Sequence, residues 1–179
     1  MTRAQLEHVI RAAATIADDP EIVVIDSQAI LGQFPAAPAE LLTSVEAGVY
    51  PRRRPERADL IDGSIGELSP FHQTFGYYAH GVGEETAVLP DGWQARLVPV
   101  AAGEAVGLCL EVHDLVLSKY AGGRAKDREF ARVALRNRLV DPKTLLERLP
   151  TMPLGFERRA AIQASIEADT GRSPGQRLT

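Results

Sequence analysis

Thiol chemistry is almost missing from this chain: of 179 residues, one is a cysteine, Cys109. A lone cysteine closes no internal disulfide and, without a Cys-x-x-Cys pair, makes no thiolate zinc site, so a reducing compartment is expected. Long apolar runs are missing as well. No stretch approaches the ~18 apolar residues of a membrane span, and the opening MTRAQLEHVI lacks the basic flank and apolar run of a secretory leader. The expectation is a cytoplasmic protein without a membrane partner. Internal repeats are absent too. The four histidines, His8, His72, His80 and His113, fall into no metal-ligand spacing and read as core or surface residues.

What is present suits one folded domain. The hydrophobic fraction of 45% can bury a core, and the 25% charged residues with rich aliphatic content exclude a disordered chain. The formal net charge of -4 hides an uneven distribution. Residues 1–50 hold seven acids, Glu7, Asp18, Asp19, Glu21, Asp26, Glu40 and Glu46, against Arg3 and Arg11. Residues 117–138 reverse the balance with Lys119, Arg124, Lys126, Arg128, Arg132, Arg136 and Arg138 against Asp127 and Glu129. Such an asymmetry fits an enzyme handling metal-bound phosphate, and it equally fits pairing through salt bridges.

Thr2 and Gln5 form a capping-box pattern, and Leu6, Val9, Ile10, Ala13 and Ile16 recur at helical spacing, which predicts a helix to about Ala17. Ile22 to Ile25 read as a short strand buried on both faces, and Thr43 to Tyr50 as a second strand with Glu46 on its polar side. PRRRPER reads as a loop. Pro70 opens the piece FHQTFGYYA, helical or extended. TAVLP and WQARLVPV flank Asp91-Gly92 and predict a hairpin there. AVGLCLE is a further strand, and Asp114 is the expected N-cap of the helix DLVLSKYA, which Gly122-Gly123 ends. A helix from near Ala125 and a helical hairpin from about Pro142 complete the order of a small α+β domain with a helical C-terminal part, closed by a frayed polar end.

Three segments can carry chemistry. IVVIDSQAIL empties a buried strand into a helix start, where backbone N–H groups and the Ser27 hydroxyl can meet phosphate, although an ordinary helix cap is the commoner use of such a serine. TSVEAGVY offers one carboxylate, Glu46, of the two that an acid-x-acid pair needs to grip divalent cations, since Gly48 has no ligand atom. In HDLVLSKYAGGRAKDREF, Arg124, Arg128, Arg132 and Arg136 fall four apart and form either a phosphate-holding stripe or a solvated face. Lys119 and Asp127 bracket the glycine pair and are placed to converge.

Together these segments, with IDGSIGELSPFHQTFGYYAHGV and LPDGWQARLVPV, resemble from about Glu21 to Phe130 a bacterial family of nucleotidyltransferase-like proteins. These are related to the abortive-infection toxin nucleotidyltransferases of the polymerase-beta-like superfamily. The resemblance implies a small nucleotidyltransferase-type mixed sheet flanked by helices over residues 1–112, a helical part over 113–168 and a tail over 169–179. It implies transfer of a nucleoside monophosphate from a nucleoside triphosphate, with magnesium, to an RNA, protein or small-molecule acceptor, and an antitoxin-like partner protein. The reading adopted for an active member sets Asp26 and Glu46 on the metal, Ser27 and Gln28 on the triphosphate, and Lys119 and Arg124 against the charge that develops on it, with Asp127 orienting Lys119. The third carboxylate is open among Asp62, Glu67 and Glu111. Two positions depart from the family: Asp26-Ser27 replaces Gly-Ser, and Glu46-x-Gly48 replaces acid-x-acid. A bare carboxylate ~4 Å from phosphate costs on the order of 4 kcal/mol at an effective dielectric near 20, and magnesium between them reverses the sign. Either Asp26 supplies the missing ligand from another strand, or the chain is a catalytically inactive member that binds a protein or RNA.

Overall fold

Thr2 starts the chain's regular structure as the sequence predicts: its hydroxyl accepts from the Gln5 N–H at 3.3 Å while its own N–H donates to Gln5 Oε1 at 2.7 Å. The computed structural model describes residues 1–171. Its helices are α1 (Arg3–Ala17), α2 (Ala58–Ile65), α3 (Pro70–Phe75), α4 (Val112–Gly122), α5 (Ala125–Arg136), α6 (Pro142–Arg148) and α7 (Phe156–Thr170). Its strands are β1 (Glu21–Val24), β2 (Glu46–Pro51), β3 (Tyr78–Gly81), β4 (Val98–Ala102) and β5 (Ala105–Cys109). The chain divides into two compact units, Met1–Ala87 with Gln94–Glu111, and Val88–Trp93 with the residues from Val112 onward.

The first unit contains a mixed sheet of order β3-β2-β1-β5-β4 flanked by helices. β1 lies at its centre, antiparallel to β2 and parallel to β5, which explains the unbroken Ile22 to Ile25 run: each of those side chains is at most 3% exposed. Pairing in register puts Ile22, Val24, Val49 and Gly107 on one face, and Val23, Tyr50 and Leu108 on the other. α1 lays Leu6, Val9, Ile10 and Ala13, all fully buried, on the first face. Each large one contributes roughly 1.5–3 kcal/mol. Glycine makes the close contacts possible. A Cβ on Gly107 would run into Ile10 Cδ1, and one on Gly32 would stand 2.6 Å from Cys109 Cβ. Cys109 is enclosed, and burial pushes its thiol up to about 12, which leaves it unreactive.

The acidic start of the chain is spent locally. Arg52 and Arg53 pair with Glu21, Arg54 and Arg57 with Asp18, and buried Asp19 accepts the N–H groups of Glu21 at 3.0 Å and Arg53 at 2.7 Å. The Pro/Arg loop is therefore clasped to the turn between α1 and β1.

Several expectations change. TAVLP forms no strand and Asp91-Gly92 no hairpin: Pro90 lacks the N–H a ladder needs, Trp93–Arg96 is a 3₁₀ turn, and Val88–Trp93 belongs to the second unit. The hairpin lies later, where Gly103 at φ +69° joins β4 to β5. FHQTFGYYA is split by Gly76, at φ +74°, into α3 and β3, and α2 was not foreseen. Asp114 is not an N-cap, because α4 begins at Val112; the Asp114 carboxylate is fully buried and accepts from Arg148 at 2.8 Å. Of the expected tail over 169–179, α7 includes 169 and 170, and residues 172–179 lie outside the described residues.

The two kinds of glycine should separate in urea melts. Gly32→Ala forces a Cβ against a strand Cβ and should cost about 2 kcal/mol. Gly63→Ala meets nothing within 4 Å inside α2 and should stabilise by about 0.5–1 kcal/mol. Equal midpoints for both variants would show that the Gly32 contact relaxes freely.

Candidate functional site

The sheet face opposite α1 is where the first unit gathers polar groups. Side chains alternate along β2, so Glu46, Gly48 and Tyr50 share that face, and the parallel register with β3 adds Tyr78 beside Glu46 and His80 beside Gly48. Glu46 Oε2 accepts from the Tyr78 hydroxyl at 3.1 Å, and Oε1 accepts from His80 Nδ1 at 3.1 Å. A carboxylate only accepts, so Nδ1 carries the proton. Burial first, then the charge and hydrogen bond of Glu46, push the Tyr78 hydroxyl up to about 12, with smaller contributions from Glu67 and Asp62. Tyr78 therefore stays a donor at neutral pH. Of the candidates for a third carboxylate, Asp62 accepts from the Gly81 N–H at 3.3 Å.

Asp26 reaches this face because β1 stops. Ile25 still donates to the Gly48 carbonyl at 3.0 Å, but the chain then turns, with Ala29 donating to the Asp26 carbonyl at 2.8 Å to open the 3₁₀ turn Ser27–Gly32. The turn swings Asp26 over β2: a Cβ built on Gly48 would lie 3.0 Å from the Asp26 Cβ. Asp26 thus stands against the glycine that occupies the second acid position, and Glu46 follows two residues along the same strand face, roughly 7 Å at strand rise. Ser27 is not a cap; its hydroxyl donates to Asp26 Oδ1 at 3.2 Å.

Gln28 is the anomaly of the first unit. Its side chain is fully buried, yet neither amide atom, Nε2 nor Oε1, finds a hydrogen-bond partner among the described residues. An unsatisfied buried polar group costs ~1–3 kcal/mol unless a water or a ligand group completes it.

Among the described residues no three His, Cys, Asp or Glu side chains gather closely enough to hold an ion. Magnesium asks for less, usually one or two carboxylates with phosphate and water oxygens completing its shell. Two hard oxygen donors on one face, Asp26 and Glu46, fit that demand.

Sequence reading missed Tyr78 and His80. The usable signal was the alternation Tyr78-Ala79-His80 before Gly81, too short to distinguish a strand from a loop without its partner β2.

Lys119, Asp127 and Arg124 come together in the second unit. Lys119 and Asp127 are 5% and 2% exposed; Lys119 Nζ lies 3.7 Å from Asp127 Oδ1 and 5.7 Å from the centre of the Phe130 ring. Arg124 grips Asp127 through Nε at 2.6 Å and a second nitrogen at 3.2 Å. The glycine pair serves this knot. A Cβ on Gly122 would stand 2.8 Å from Asp127 Oδ2, and Gly123 takes φ +69° to join α4 to α5. The geometry gives Lys119 a structural task at that corner. Lys119→Ala should lower stability by about 3 kcal/mol in urea melts, because it strips one partner from a buried ion pair, and Lys119→Met by less, because the apolar stem survives. An unchanged midpoint would show that the ammonium does not hold the corner.

No helix among the described residues is long and apolar enough to cross a membrane. No curated protein and no solved structure matches the chain. A family model does, over residues 4–153, a span that takes in the mixed sheet, both carboxylates of its polar face and the Lys119–Asp127 corner. The chain belongs to the family described as Nucleotidyltransferase of unknown function (DUF6036).

Proposed function

We propose that this protein binds a nucleoside triphosphate with magnesium on the polar face of its sheet, and transfers the nucleoside monophosphate to a hydroxyl group of an RNA, protein or small-molecule acceptor: the acceptor oxygen bonds the α-phosphorus, the bond to the β-phosphate breaks, pyrophosphate leaves and the hydroxyl proton is released to solvent. The observation that carries the reading is Asp26 standing 3.0 Å, Cβ to Cβ, from where a side chain on Gly48 would begin. The acid missing from the strand is supplied in space by the end of its neighbour. Asp26 and Glu46 would hold the ion. When bound, it offsets the charge of the phosphates and so removes the penalty that a bare Asp26 would impose.

The remaining residues prepare that arrangement. Ser27 orients Asp26 through its hydroxyl, and Tyr78 and His80 fix the Glu46 carboxylate from β3. Gln28, enclosed in this structure, would offer the nucleotide its amide nitrogen and oxygen, which no described residue uses, once the turn opens around it. A toxin-like role with an antitoxin-like partner rests on the sequence resemblance.

A second reading is favoured by one observation: both Glu46 oxygens are already bonded, to Tyr78 and His80, while Gly48 contributes no ligand. In that reading the face binds a nucleotide or a partner without transfer. Calorimetric titration of the full chain with each of the four nucleoside triphosphates, with magnesium and with chelator, separates the cases alongside a labelled-nucleotide transfer assay. Magnesium-dependent binding should fall at least tenfold in Asp26→Ala. Gln28→Met should hold or raise the melting temperature, because it removes an unsatisfied amide, and should weaken binding at least fivefold. Binding indifferent to both substitutions would overturn the proposed site; binding without labelled product selects the second reading.

A further inference from the structure

The arginine stripe of α5 is not accounted for by the nucleotide site. The structure shows how its members are used. Arg124 is spent on Asp127, and Arg132 bonds Asp169 through Nε at 3.1 Å. Arg128 makes no ion pair among the described residues. It lines a cleft within the second unit, about 380 Å³, walled by α4, α5 and α7. Arg132 and Arg158 line the same cleft.

The charges do not cancel. The acid of the cleft is Asp169, with its side chain 7% exposed, and it is met on both oxygens: Oδ1 by Arg132 and Oδ2 by the Tyr120 hydroxyl at 3.0 Å. Arg158 donates to a neutral group, the Ala121 carbonyl near the end of α4, at 2.5 Å. Arg128 and Arg158 therefore bring two positive charges that no carboxylate of the cleft offsets among the described residues. A carbonyl anchor also holds the Arg158 guanidinium in place while leaving further N–H groups to donate. Paired guanidinia match the oxygen geometry of phosphate, and a phosphate monoester carries close to two negative charges at neutral pH. The cleft also has apolar wall, from Ile162 and the Tyr120 ring, and its volume is within the range of small-ligand pockets.

We infer that this cleft is a second anion site that takes a phosphate monoester attached to an organic group, the phosphate on Arg128 and Arg158 and the organic group against Tyr120 and Ile162. The ester can come from a free nucleoside monophosphate or from the 5′-phosphate end of an oligonucleotide. The inference does not rest on the proposed transferase activity, since none of its residues belongs to the polar face of the sheet.

The test is titration of the full chain with adenosine monophosphate in chelator, which suppresses magnesium-dependent binding at Asp26 and Glu46. Saturable binding is expected, weakened at least tenfold in Arg128→Gln/Arg158→Gln and unchanged in Lys143→Gln, a surface control with the same loss of charge as either single change. Because Arg158 also bonds the backbone, Arg128→Gln alone must weaken binding at least threefold with an unaltered melting temperature. A 5′-phosphorylated short oligoribonucleotide and its 5′-hydroxyl counterpart form the second arm. Preference for the phosphorylated strand over adenosine monophosphate assigns the site to an oligonucleotide end, the reverse preference to a free nucleotide, and both support it. Equal binding of the two strands, no binding of adenosine monophosphate by the parent, or loss in Asp26→Ala with retention in the arginine variants overturns it.

Discussion

A four-residue run of apolar side chains, Ile22 to Ile25, sets the terms for the first unit. β1 and the Ile25 that follows it present that run to both sheet faces, so its burial requires β2 on one edge, β5 on the other, and cover above and below. α1 supplies the cover on one face, and glycines at 32 and 107 let backbone and side chains approach where a Cβ would collide. The same strand decides where the chemistry lies. Once the apolar run ends at Ile25 the chain must leave the sheet, and its first polar residues, Asp26, Ser27 and Gln28, are delivered beside β2.

Gly48 converts that delivery into a site. Any larger residue there would contend with Asp26 for the same space, while glycine allows a carboxylate from β1 to stand where β2 has none. Neighbouring polar groups then serve this face in different ways. Tyr78 and His80 hold Glu46 in place with one bond on each oxygen, leaving one lone pair on each, and Gln28 keeps an amide buried without a partner among the described residues. The first is a rigid support and the second a standing energetic penalty.

The second unit is organised by charge instead. Lys119, Arg124 and Asp127 close the corner between α4 and α5, Arg148 neutralises the fully buried Asp114, and Asp169 joins Tyr120 to Arg132. Each buried carboxylate has a cationic partner, as burial of a charge demands. Arg128 and Arg158 stand outside this pairing, and they face one cleft.

The sequence alone determined what depends on near neighbours: the capping box at Thr2 and Gln5, the period of α1, the doubly buried β1 and the break at Gly122-Gly123 are all readable because spacing or backbone freedom dictates them. It also singled out Asp26, Glu46 and Gly48 as the positions to watch. Tertiary structure decided what depends on partners distant in the chain. Asp91-Gly92 looks like a hairpin turn, but β4 found β5 and the Val88–Trp93 segment went to the other unit. Lys119 and Asp127 are readable as converging, but packing decides that both are buried and that Arg124 shares the carboxylate, and His80 looks idle until β3 lies beside β2 and sets it against Glu46. A side chain's type fixes the bonds it is able to make; the register of strands and the packing of helices fix which of those bonds it has left to offer.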